Sequence, residues 1–219
     1  TQLASLSPSQ LGALSQAQLA SLSGAAVGGL GSDGIAALTP AQIGGLSSAQ
    51  VRGLTAHQLE SFTSEQIAAF STSGLASLSS SQVAALSVSQ LASLSSTQMA
   101  SLSANGLLGI SPASFAALSS DHVGALTATQ LRVLSEEQAE ALTAQQIGAL
   151  SATQIAALSK NAISGLTTTS MSYLSTTQIA SLTAVQAATL HDTQIEALST
   201  AQIAALSTRA IAGLGNTQI

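Results

Sequence analysis

The stretch Ser199-Thr200-Ala201-Gln202-Ile203-Ala204-Ala205-Leu206 is followed at once by Ser207-Thr208-Arg209-Ala210-Ile211-Ala212-Gly213-Leu214. The same eight-residue unit runs back through the whole chain with no insertion or deletion. Let its slots be numbered 1 to 8 from the Ser to the Leu. Slot 8 is Leu in 24 of 27 occurrences, the others being Phe62, Phe70 and Ile110. Slot 5 is Ile, Leu, Val, Met or Phe everywhere except Ala139 and Ala187. Slot 4 is Gln in 19 of 28 cases, and slot 1 is Ser or Thr in 24 of 27, with Gly31, His191 and Gly215 as exceptions. An unbroken short period is the signature of a repeat architecture, and it outranks any reading taken from length alone.

Each unit reads as one short helix. Ser or Thr followed three residues later by Gln is the capping-box spacing: the hydroxyl accepts from the N3 amide, and the Gln side chain reaches back to the N-cap amide. Leu before the Ser and Ile four residues after it are placed as a hydrophobic staple. Leu198-Ser199-Thr200-Ala201-Gln202-Ile203 carries both devices. Pro8, Pro40 and Pro112 all fall in slot 2, the N1 position, where a missing N–H removes no helical bond. All charged residues lie in slots 2, 3 or 6, and Asp33, Glu65, Asp121, Glu136, Glu137 and Asp192 lie in the first turn, where the helix dipole favours acids.

One continuous helix is excluded by geometry, because eight residues at 3.6 per turn rotate the apolar stripe by about 80° per unit. The unit is therefore about six helical residues and a corner. Such a helix is too short to persist alone and depends on a core shared with other units. The expected fold is all-α: a tight solenoid of about 27 short-helix octads. Residues 1–219 form its single domain. The alternative is a β-solenoid, which calls for alternating polar and apolar residues and for β-branched enrichment. Ala, Leu and Gln are helix formers and speak against it. The small residues of slots 6 and 7 let neighbouring helices approach, with slot 6 partly solvated and slot 7 the tighter contact.

Composition narrows the function. Only 6% of residues are charged and 2% aromatic, with a net charge of −5. Four basic residues, Arg52, Arg132, Lys160 and Arg209, make no electrostatic footprint for nucleic acid. Without Cys there is no disulfide or thiolate chemistry. Mean hydropathy is +0.44, but the polar slots interrupt every apolar run well short of the ~20 residues of a membrane span. The sequence starts at slot 3 and stops at slot 5 with no signal peptide and no polar cap. A segment of a longer chain, or an element that stacks on something else, is expected.

No catalytic, cofactor-binding or metal-ligating residues are assigned. His57, His122 and His191 occupy slots 3, 4 and 1, on different faces and far apart in sequence, whereas a metal or haem site needs several convergent ligands. The serines have no base and no oxyanion site in the repeat. Arg52 and Glu60 share slot 6 in adjacent units, as do Arg132 and Glu140, and would pair if neighbouring units stacked in parallel. Phe62 and Phe70 suggest a bulkier core layer, and Tyr173 an exposed surface residue. Gln-less units such as 71–78, 103–110, 159–166 and 207–214 raise the question of a second-order repeat or superhelical turn.

Leu150-Ser-Ala-Thr-Gln-Ile-Ala-Ala-Leu158 and Leu198-Ser-Thr-Ala-Gln-Ile-Ala-Ala-Leu206 resemble the octad arrays of very long secreted bacterial proteins, often labelled haem-utilisation or adhesion-like. The resemblance covers essentially the whole chain. It implies an extracellular or cell-surface location and a role in adhesion or fibre building. The haem part finds no recurring ligand here. The expected function is thus a structural, non-enzymatic segment of a surface adhesin or extracellular filament, without cofactor. Its partners would be its own copies, stacked head to tail, neighbouring repeats or a matrix ligand. The alternative is a solenoid binding module for peptide or glycan. Far-UV circular dichroism of the purified chain should show helical minima at about 208 and 222 nm; a single minimum near about 217 nm would mean strands.

Overall fold

A computed structural model describes residues 6–215. Among them are twenty-six α-helices of four to six residues and no strand. The chain is an all-α solenoid of short-helix repeats, one helix per octad, and the β-solenoid alternative is excluded. Its contacts divide it into two compact units, Thr1–Ile110 and Ser111–Ile219.

Local chemistry makes each helix start on schedule. Ser47 is extended at φ −70° and ψ 158°, and its hydroxyl accepts from the Gln50 amide while Gln50 Oε1 accepts from the Ser47 amide at 2.9 Å. The same reciprocal pair forms at Thr55 and Gln58, Ser151 and Gln154, and Ser199 and Gln202. Pro8, Pro40 and Pro112 each sit in the first turn of their helices. The helix stops because slot 8 turns back. Leu54 N–H donates to the Val51 carbonyl at 3.1 Å, and Leu54 then adopts φ −64°, ψ 138°. No described residue has a positive φ. The corner is made by two successive extended residues, slot 8 and slot 1, so glycine is not needed for it.

Slots 5 and 8 build the core. Val51, Leu59, Leu75, Ile147, Ile155 and Ile163 are fully buried, and slot 8 residues such as Leu54, Leu78 and Leu158 are nearly so. Each is worth about 1.5–3 kcal/mol relative to exposure, which is what holds helices that are too short to stand alone. Phe62 and Phe70, slot 8 of successive octads, meet edge to face at 5.5 Å and 85° and form the bulkier core layer.

Within each unit, octads stack on others three to four places away. Ser77 Oγ donates to the Ser48 carbonyl, 29 residues back. Ser48 Oγ donates to the Ser73 carbonyl, 25 residues on. Gln50 Nε2 reaches the Leu22 and Leu19 carbonyls, 28 and 31 residues back. A coil is therefore about three and a half octads, and each helix lies across the junction of two helices in the next coil. Adjacent octads follow one another around a corner and do not stack. For that reason Arg52 and Glu60 form no ion pair; Glu60 Oε2 instead lies 3.3 Å from His57 Nδ1 of its own helix. Arg132 and Glu140 are likewise unpaired with one another. The Gln-less octads at 71, 103, 159 and 207 are spaced unlike the coil and do not mark it.

Slot 7 is the close approach. A β-carbon on Gly53 would collide with the Gly24 carbonyl, on Gly109 with that of Ser80, and on Gly165 with that of Glu136. Ser77 and Ser93, in slot 7, fill this gap by donating across it, Ser93 to the Ser64 carbonyl at 2.9 Å, whereas Ser101 and Ser181 donate within their own helices. Slot 6 faces outward: Arg52, Glu60, Arg132 and Glu140 are exposed. Tyr173, in slot 7, is 64% exposed.

Leu150→Ala should lower stability by about 2–5 kcal/mol, the usual cost of a buried leucine. Ser175→Ala should cost about 1 kcal/mol through its lost cap. Tyr173→Ser should stay within about 0.5 kcal/mol. Urea titrations followed by circular dichroism would check that order.

Candidate functional site

The feature most octads contribute is the seam between coils, and its centre is the slot 4 glutamine. The capping box uses only its carbonyl oxygen. Its amide nitrogen points the other way, into the coil below. Gln58 Nε2 donates to the Leu30 carbonyl at 2.7 Å and the Val27 carbonyl at 3.1 Å. Gln82 Nε2 reaches the Leu54, Val51 and Arg52 carbonyls at 2.7–3.2 Å. Gln146, Gln178, Gln186, Gln194 and Gln202 repeat the pattern in the second unit. The accepting carbonyls belong to slots 5, 6 and 8 at the helix C-terminus: those of slot 5 already accept the slot 8 amide of their own octad, and the glutamine adds a donor to them and to the slot 6 and slot 8 carbonyls. One side chain thus closes the N-terminus of its own helix and the C-terminus of another.

Sequence reasoning found the first half of this role and missed the second. Gln50 and Gln146 are 1% exposed, as buried as the core leucines. A polar residue recurring in a buried slot was the available signal, since buried amides must be fully bonded. Gln10 and Gln18, in the first described coil, are exposed and make only their local caps. Where slot 4 is small, a slot 5 side chain from 23 residues earlier takes the space. A methyl on Gly34 would run into Leu11, and one on Gly74 would sit 3.1 Å from Val51 Cγ2. Ser170 keeps part of the bond, donating to the Leu142 carbonyl at 3.2 Å.

The histidines stay apart in role. His57 is exposed on its helix surface. His122 occupies slot 4 and is 7% exposed. His191 replaces the slot 1 hydroxyl, and its Nε2 lies 2.8 Å from Ser164 Oγ in the neighbouring coil. Beside that pair is a solvent-open cleft of about 280 Å³ lined by Glu136, Glu140, Ser164, Thr168, His191 and Thr193. Neither glutamate forms an ion pair with the imidazole, so the Ser–His contact has no carboxylate orienting it. Among the described residues no group of three His, Asp or Glu side chains is placed to hold a metal, and no helix is long and apolar enough to cross a membrane. Next to the cleft, Glu137 is fully exposed at the first turn of Glu136–Glu140. Its own backbone amide and the Ser135 hydroxyl hold its carboxyl below the ordinary glutamate range, and slight burial opposes them.

Capped four- to six-residue helices, coiled about three and a half octads to the turn and joined by a glutamine seam, define a class of α-solenoid repeat protein. The family model described as the ALTTAQ repeat matches residues 16–48, 41–72 and 115–152, less than half of the chain. Its six letters correspond to slots 7, 8 and 1–4, as in Ala149-Leu150-Ser151-Ala152-Thr153-Gln154. The matched segments span about four octads or a little more, just over one coil. The chain is a repeat protein similar to that family over those segments. A comparison with curated proteins gave no match.

Gln178→Ala should cost about 2–4 kcal/mol, because it removes a cap, takes the amide donor from the buried Leu150 carbonyl and leaves the Ile147 carbonyl with only the Leu150 N–H. Gln18→Ala, which loses only a cap, should cost about 1 kcal/mol. Equal losses by chemical denaturation would refute the seam's contribution. For Glu137, a depressed folded pKa means a contribution present above the unfolded value and lost as pH falls through the folded one. Its exposure keeps that contribution small. Carboxyl NMR should place its midpoint below ordinary glutamate, and Ser135→Ala should move it upward.

Proposed function

We propose that the chain is a structural, non-enzymatic segment of a secreted bacterial surface adhesin or extracellular filament. The observation that carries this reading is the repeating seam. Within each unit, coils take amide donors from the following coil and offer the same slot 5 and slot 8 carbonyls to receive them, so length is added without new chemistry. A solenoid of this type is coupled only between neighbours and can be extended repeat by repeat. The outward slots vary freely while the seam recurs, which suits a stalk or wall better than a site built for one ligand. Copies of the chain would stack head to tail through the same amide-to-carbonyl contacts, a heterologous association that gives fibres when it does not close.

Light scattering and electron microscopy at rising protein concentration test the assembly. Concentration-dependent oligomers or fibres are the expected outcome, and a monomer at every concentration would discard head-to-tail stacking. Antibody labelling of intact source cells tests the location: surface label without permeabilisation is expected, and label seen only after lysis would overturn an extracellular role.

A further inference from the structure

We infer that each compact unit is an extensible element that yields under tension one coil at a time. This holds wherever the chain is anchored and does not depend on an adhesin role. The backbone–backbone bonds outside the helices join residues only three or four apart. Between coils of a unit the bonds come from side chains, chiefly from the slot 4 amides to carbonyls 28 to 31 residues back, with a few hydroxyl bonds and the His191–Ser164 contact beside them. Nothing of the strength of a β-ladder crosses a seam. The chain has no Cys to form a disulfide, and the His57–Glu60 contact lies within a single helix. A pull on the chain ends therefore loads the outermost seam first, and its few amide bonds break before the next seam is strained.

What is released does not stay folded. Helices of four to six residues lose their structure once the shared core is gone. One coil, about 28 residues, then contributes about 90–100 Å of extended chain. The remaining coils keep their own seams, because each contacts only its neighbours. Seams also differ in strength. The octads of Gln178, Gln186, Gln194 and Gln202 carry four amides in succession. The two before them carry Ala162, which has no amide, and Ser170 with one bond. Release should therefore come in steps of unequal force and similar length.

The absence of native Cys permits a direct test: the full chain with one added Cys at each terminus, held between beads in an optical trap. Successive steps of about 90–100 Å are expected. One or two rips, each releasing a whole unit of about 360–400 Å, would overturn the inference. Gln186→Asn, whose amide is too short to reach the Ile155 and Leu158 carbonyls, should lower the force of one step and leave its length unchanged. Gln18→Asn is the control, since Gln18 makes no bond between coils. Equal force profiles for the Gln186 variant and the parent would show that the amide seam does not bear the load.

Discussion

The glutamine amide in slot 4 is the interaction on which the rest of the structure depends. A chain of very short helices has an unusual problem: nearly all its backbone donors and acceptors are terminal ones. Slot 1 hydroxyls answer the donors. The acceptors are answered from another coil, by Gln Nε2 at 2.6–3.4 Å from carbonyls of slots 5, 6 and 8. With both ends of the amide committed, glutamine can be buried in a core made otherwise of Leu, Ile and Val.

That double use explains the composition of the other slots. Slot 8 has to be a compact apolar residue because it turns the corner and fills the coil centre. Slot 7 must be Gly, Ala, Ser or Thr over much of the chain because it lies against the slot 2 carbonyl 29 residues earlier. Slots 2, 3 and 6 face water, and there the charges collect. Stability is distributed over many seams of unequal strength, with no disulfide or buried ion pair among the described residues.

The cleft at Glu136, Glu140 and His191 shows how little the fold invests in chemistry. His191 is a departure from the hydroxyl at slot 1, and its imidazole bonds a serine in the adjoining coil. The contact places a coil-to-coil hydrogen bond in a slot whose hydroxyls otherwise cap their own helix. Its neighbours are the same hydroxyls and the same slot 2 and slot 6 acids that the octad places elsewhere.

Sequence alone determined the helix and its length, since caps, N1 prolines and the dipole-matched acids are all local devices legible within eight residues. It also determined which slots form the core and that Tyr173 lies outside. The stacking partner was decided only in three dimensions. A period of eight says nothing about how many octads close a turn, because that number follows from the corner angle and from where helices fit over those below. The result, about 28 residues, is not a whole number of octads, so no slot-to-slot pattern marks it. Arg52 and Glu60 would have paired had adjacent octads stacked in parallel, but these follow one another around a corner, and the second role of glutamine stayed hidden until its distant carbonyls were in place.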